Sequence, residues 1–292
     1  MNGALLLDKA LGVSSNRALQ EVKKLYGARK AGHAGTLDPL ATGLLVVLFG
    51  EATKFAGALL DDDKEYVATL RLGEATRTGD AEGEVIERGP AEVAGDAIEA
   101  ALALFRGDID QVPPMHSALK RDGVPLYALA RRGRTVERAG RRVRIAELEC
   151  TAYRAPLLEL RVRCSKGTYV RTLAEDIGRT LGTCAHLAAL RRTASGRFSV
   201  REAATLEALA AMPAAGRAAR LLPLGALLER WPREELDAAE AARFRNGQAL
   251  RRRRPEGLCA VYGPGDAVLG LARADPDGAL RPVRLVAPQA AD

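Results

Sequence analysis

The chain has 292 residues, 47% of them apolar but only 4% aromatic, enough for an aliphatic core in one large domain with a small appendage. Its 44 Lys and Arg against 37 Asp and Glu leave a net charge of +7, which suits a polyanionic partner. No run approaches the ~18 apolar residues of a membrane span, and the N-terminal apolar stretch is too short for a secretory signal. Four dispersed cysteines without a CxxC pair, and three scattered histidines, make no metal-ligand pattern. These features predict a cytoplasmic protein with reduced, mostly buried cysteines and no metal.

In chain order, Ser14 and Ser15 can cap a helix running to about Tyr26, with Ala18, Leu19, Val22 and Tyr26 on one face and Gly27 ending it. The loop GHAGTLDPLATG, residues 32–43, leads into LLVVLF, an apolar run short enough for a buried strand. Residues 65–72 alternate, placing Tyr66, Ala68, Leu70 and Leu72 on one side. Residues 95–105 read as a helix, and 143–149 and 157–164 as strands. The turn Ser165-Lys166-Gly167 hands over to a helix from near Thr168 whose inner face is Val170, Leu173, Ala174, Ile177 and Leu181. Arg171 lies off that stripe, one turn before Glu175. Strands in groups with interspersed helices, without βαβ alternation, predict an α+β fold with a mainly antiparallel or mixed sheet flanked by helices. Residues 202–229 read as Ala- and Leu-rich helical connectors. A helix near 237–246 and strands at 258–263, 267–273 and 280–286 follow. The boundaries are therefore 1–228 for the main domain and 229–292 for a β-rich unit small enough to pack on it.

Two basic clusters stand out: seven arginines between Arg131 and Arg144, and four at Arg251 to Arg254. Such clusters neutralise phosphates, and equally occur as solvated loops. In residues 32–43, three glycines and a proline surround Asp38, His33 and two threonines, implying unusual backbone angles and close approach of another group. On its own, an aspartate before proline is the ordinary material of a turn.

This segment resembles the signature loop of bacterial tRNA pseudouridine-55 synthases of the TruB type. Further blocks resemble the same family in order: Asp8-Lys9, Gly12-Val13-Ser14-Ser15-Asn16, Gly50-Glu51-Ala52-Thr53-Lys54 and Lys64-Glu65-Tyr66. Downstream stand Thr76-x-Thr78-x-Asp80-x-x-Gly83, the run from Gln111 to Lys120, the run from Cys164 to Arg171, and Leu190-Arg191-Arg192-Thr193. Departures are His116, where an aromatic such as Tyr is expected, and Arg77, where an acidic residue is common. The C-terminal unit is similar to a PUA-like RNA-binding tail.

The resemblance implies an isomerase that converts the T-arm uridine 55 of tRNA to pseudouridine, breaking the N-glycosidic bond and rejoining uracil through C5. Asp38 would be the essential carboxylate, stabilising charge at the sugar as carboxylates do in glycoside hydrolysis. Attack on the sugar, attack on the base and assisted elimination are all open to it. Arg171 would pair with Asp38 and fix its direction, although as a helix residue it could instead pair with Glu175. A base inside a folded loop must be flipped out. Tyr66 would stack on it, with a possible part in proton transfer. Tyr169 and Leu190 would line the pocket, and His33 would contact the displaced nucleotide. Lys64, Lys166 and the Arg131–Arg144 run would hold phosphates. No cofactor, membrane or obligate protein partner is expected, and the chain should act as a monomer. Competing readings are a non-catalytic RNA remodeller, an enzyme for ribosomal or guide-directed RNA, and a glycosidase using Asp38 with Asp80.

Overall fold

The computed structural model describes residues 1–117, 119–121, 123–130, 132–251 and 255–287. Ala118 of the Gln111–Lys120 block, Arg131 of the first basic cluster and Arg252 to Arg254 of the second lie outside the described residues. Among the described residues, no helix is long and apolar enough to cross a membrane.

The body is built on one ten-stranded mixed sheet. Its strands are β1 (Gly3–Lys9), β2 (Ala31–His33), β3 (Ala41–Phe49), β4 (Lys64–Leu72), β5 (Gly107–Gln111), β6 (Arg141–Arg154), β7 (Leu157–Cys164), β8 (Ala185–Ser195), β9 (Phe198–Ser199) and β10 (Ala204–Thr205). The order is β10-β1-β3-β8-β4-β7-β6-β5, with β2 beside β3 and β9 beside β8. Strand β8 runs parallel to β3 and antiparallel to β4, so it joins the two halves of the sheet.

The LLVVLF run is apolar throughout because both faces of β3 are covered. Leu45, Val47 and Phe49 pack with helix α1 (Ser15–Leu25), which Ser14 caps through the backbone N–H of Arg17. Leu44, Val46 and Leu48 pack on the opposite side with Leu227, Leu228, Ala260, Tyr262 and Leu271. In the other half of the sheet, helices α2 (Gly95–Ala103) and α3 (Val170–Thr180) cover β4, β6, β7 and β8 with Ile98, Leu102, Leu173, Ala174 and Ile177. Residues 202–229 form two short helices, Leu206–Ala211 and Ala214–Ala219, and a 3-10 turn, Leu224–Leu227.

The C-terminal unit is a second, five-stranded sheet with one helix, Ala238–Arg245. Its three long strands, Gly257–Gly263, Ala267–Ala274 and Ala279–Leu285, match the expected ones to within a few residues. It packs on the body through the shared core and through polar ties from Lys54 Nζ to the Leu285 carbonyl (2.8 Å) and from the Ala287 N–H to Glu51 (2.6 Å). Cys164, Cys184 and Cys259 are buried, Cys150 is exposed, and all four are free thiols.

Candidate active site

The loop before β3 is held from three sides. The Ser15 hydroxyl donates to the carbonyl of Leu37 (2.8 Å) and accepts from its N–H (2.7 Å). Lys9, 1% exposed, donates to the carbonyls of Ala10 (2.9 Å), Val13 (2.6 Å) and Pro39 (3.5 Å). The Gly12 N–H also reaches the Pro39 carbonyl, at 2.8 Å. Two elements at the start of the chain thus fix the residues on both sides of Asp38. Burial pushes the Lys9 ammonium down to about 8, against the attraction of Asp38 and Glu82. Gly43, at φ +96°, lets β3 meet β8, since a Cβ there would lie 2.3 Å from the Arg192 carbonyl oxygen.

Asp38 remains 43% exposed, and the buried guanidinium of Arg171 meets its carboxylate at 2.9 Å. Arg171 also approaches Asp80 at 3.7 Å and donates to the carbonyls of Thr78 (3.1 Å) and His116 (2.7 Å). These contacts set aside the alternative of a surface pair with Glu175. Asp80 is itself buried and tied by Thr78 and the Glu82 N–H, so it orients Arg171 from behind. His116 therefore serves this network through its backbone, which any residue supplies. Arg77 is exposed and pairs with Glu84.

Asp38 opens on a cleft of about 720 Å³ also lined by Tyr66, Tyr169, Leu190, Lys64 and Lys166. Tyr66 is half-buried on β4. Burial raises its phenol, while the positive charge of neighbouring Arg192 counters it. Tyr169 precedes α3. Its N–H and carbonyl both pair with the amide of buried Gln111 (2.7 and 3.1 Å), and its ring lies under the Arg141 guanidinium at 4.8 Å. Leu190 is both pocket wall and core edge.

Lys64 is 6% exposed, its ammonium capped by the carbonyls of Leu60 (2.7 Å) and Asp62 (2.6 Å). Lys166 is exposed and pairs with Asp61 at 2.6 Å. His33 stands apart from the others. It lies on β2 off the cleft wall, its Nδ1 buried without a partner, and burial and the Arg192 charge lower its pKa. Asp38 is the single carboxylate among the described residues of the cleft wall, against six cations that include Arg141, Arg142 and Arg192. Among the described residues, no group of three His, Cys, Asp or Glu side chains is placed to hold a metal ion.

Residues 23–170 match the TruB family pseudouridylate synthase N-terminal domain, 171–229 the tRNA pseudouridylate synthase B C-terminal domain, and 232–286 the pseudouridine synthase II TruB C-terminal domain. The chain belongs to the TruB family of pseudouridine synthases. It is 54% identical over 294 residues to the tRNA pseudouridine synthase B of Burkholderia mallei (strain NCTC 10247), covering 98% of this chain and 97% of that one. Against the same enzyme of Cupriavidus metallidurans the identity is 53% over 297 residues, covering 98% and 94%. Among solved structures it is similar to a Cbf5-Nop10-Gar1 complex (TM-score 0.74, 28% identity, 94% of this chain and 79% of that one). It is also similar to an H/ACA RNP bound to a substrate RNA containing 2'-deoxyuridine (TM-score 0.75, 25% identity, 98% and 85%).

By family the chain is a pseudouridine synthase, an isomerase. Of five residues that hold the site together, Lys9, Ser15, Gln111 and Arg192 carried no expected functional role, and Asp80 carried one only in the glycosidase reading. Each is a polar side chain that is almost fully buried, a property that spacing alone does not reveal.

Proposed function

We propose that the chain converts uridine 55 in the T arm of tRNA to pseudouridine, with Asp38 as the essential carboxylate. The observation that carries this reading is the Asp38–Arg171 pair: a half-exposed carboxylate held at 2.9 Å by a buried guanidinium, at the foot of an otherwise cationic cleft. Relatives more than half identical over nearly the whole chain are tRNA pseudouridine synthases B, which supports tRNA as the substrate class. Tyr66 stacks on the flipped uracil, Leu190 and Tyr169 wall it in, and Lys166 releases Asp61 to take a phosphate. Lys64 acts as a buried charge more than as a direct phosphate ligand, because backbone carbonyls already occupy its ammonium. His33 supports the loop from behind. The reaction is redox-neutral and balances without a cofactor, and the chain acts without an obligate partner. Residues 1–228 form the catalytic domain and 229–292 a PUA-like unit that extends the RNA-binding surface.

The test is a pseudouridine map of an unmodified tRNA transcript after incubation with wild-type protein or with Asp38→Asn. One modified T-arm uridine with wild type, and intact binding without modification with Asp38→Asn, is the expected result. Tight binding by wild type with no pseudouridine anywhere would falsify the reading.

A further inference from the structure

Arg192 sits on β8 with Gly43 of β3 and Tyr66 of β4 as its partners on either side. It lines the cleft floor, yet only 1% of it is exposed. A buried charge is costly unless paired, and buried arginines normally hold a carboxylate. Buried Arg171 does so with Asp38, and half-exposed Arg191, the neighbour of Arg192 in sequence, pairs with Asp8. Among the described residues Arg192 instead meets the carbonyls of Leu44 (2.6 Å) and Gly35 (3.2 Å), with Tyr66 its neighbour across the strand pair.

Lys64 repeats the pattern beside it, held by carbonyls alone. Burial and the Arg192 charge lower Lys64 to about 8. Among the described residues, the fold therefore keeps two positive charges under the cleft floor with no carboxylate in ion-pair contact with either, Asp61 and Asp63 acting on Lys64 only from a distance. Such a violation of a stability rule at a cleft points to a ligand that completes it.

The reaction supplies the missing anion. When the bond from N1 to C1' breaks with its electron pair on N1, uracil carries a negative charge spread over its ring oxygens. Rejoining uses a ring electron pair to form the bond from C5 to C1'. C5 then loses a proton and N1 gains one, so atoms and charge balance without an outside reagent. We infer that Arg192 is a positioning residue that ties down the Tyr66 phenol and, with Lys64, forms a cationic floor that stabilises the detached uracil anion. This rests on Tyr66 facing the flipped base.

Arg192→Gln keeps a hydrogen-bonding group and removes the charge. The single-turnover rate on a tRNA transcript is expected to fall about 100-fold, the scale of removing one preorganised electrostatic donor, with the tRNA Kd within about threefold. Arg192→Lys should restore most of the rate. In a Tyr66→Phe background, Arg192→Gln should cost under about tenfold, because the two residues act as a unit. Loss of affinity in place of rate, or the same factor in both backgrounds, marks a mere structural prop and overturns the inference.

A second measurement needs no change at Arg192. T-arm stem-loops carrying either uridine or 6-azauridine, whose ring ionises near neutrality, are titrated with the Asp38→Asn protein. A cationic floor tightens the 6-azauridine Kd about tenfold relative to uridine between about pH 5.5 and 7.5; parallel curves sink the floor whatever the variants show. Wild-type product formation, followed alongside, isolates the two ideas: its absence defeats the functional reading and leaves the anion-binding comparison to decide on Arg192 separately.

Discussion

Arg171 divides one guanidinium among Asp38, Asp80 and the carbonyls of Thr78 and His116. A lysine at this position has the charge but lacks the planar fork. Arg171→Lys is therefore expected to slow single-turnover modification by about 100-fold or more while leaving the tRNA Kd within about threefold, since alignment is lost and charge is kept. Quench-flow rates beside filter binding check this. Lys9 leads to a pH prediction. Its pKa falls on folding to about 8 from an ordinary value near ~10.4, so between these values the unfolded chain binds more protons than the folded one. Stability then rises with pH across that window, by roughly 1–3 kcal/mol for such a group. Lys64 behaves alike, so urea midpoints at pH 7.5 and 9.5 should show about half the wild-type rise in Lys9→Met. That Asp38, Tyr66 and Arg171 would come together at one cleft was legible in the sequence because a carboxylate in a glycine-rich loop, and the blocks accompanying it, carry family-specific spacing. Lys9 and Arg192 stand in two of those blocks, yet their structural roles were not legible, because a lysine ending a strand and one arginine of a pair look like solvated surface until tertiary burial is known.

At the scale of elements, the extents of α1, β4, β7 and the three long C-terminal strands followed from period and punctuation. Strand β8 did not. Its sequence, AHLAALRRTAS, is rich in Ala and Leu and has one β-branched residue, so local propensity gives no strand signal. Its conformation comes from pairing on both edges, with β3 and β4. Helix α1 has a comparable second role. Ser14 does the capping, which frees Ser15 to bond both backbone groups of Leu37. Ser15→Ala leaves a buried N–H and carbonyl of the catalytic loop unpaired, and is expected to lower stability by about 1–3 kcal/mol. The rate should fall as well, because Asp38 is the next residue. Chemical denaturation and single-turnover kinetics on the same preparation separate the two effects, and an unchanged rate would show that the loop is held by Lys9 and Gly12 alone.

Across the whole molecule, the excess of positive charge gathers at the cleft and along β6. Arg142 there is 76% exposed, with only a loose approach to Asp108 at 3.7 Å. Replacing it with Ala should reduce the slope of log Kd for tRNA against log salt by about one, as expected when one fewer phosphate is neutralised. An unchanged slope would place the RNA backbone elsewhere. That a small β-rich unit follows the main sheet could be read from the change in composition. The shared core of Leu227, Leu228, Ala260, Tyr262 and Leu271 could not, because it forms between segments distant in sequence. One consequence concerns the order in which a ribosome delivers the chain. Asp38 and Arg171 both precede β8 in the chain, but β8 is the strand that seats β3 against β4. The strands on the Asp38 side and those on the Arg171 side therefore become one sheet only once Ala185–Ser195 has cleared the exit tunnel and zips between them.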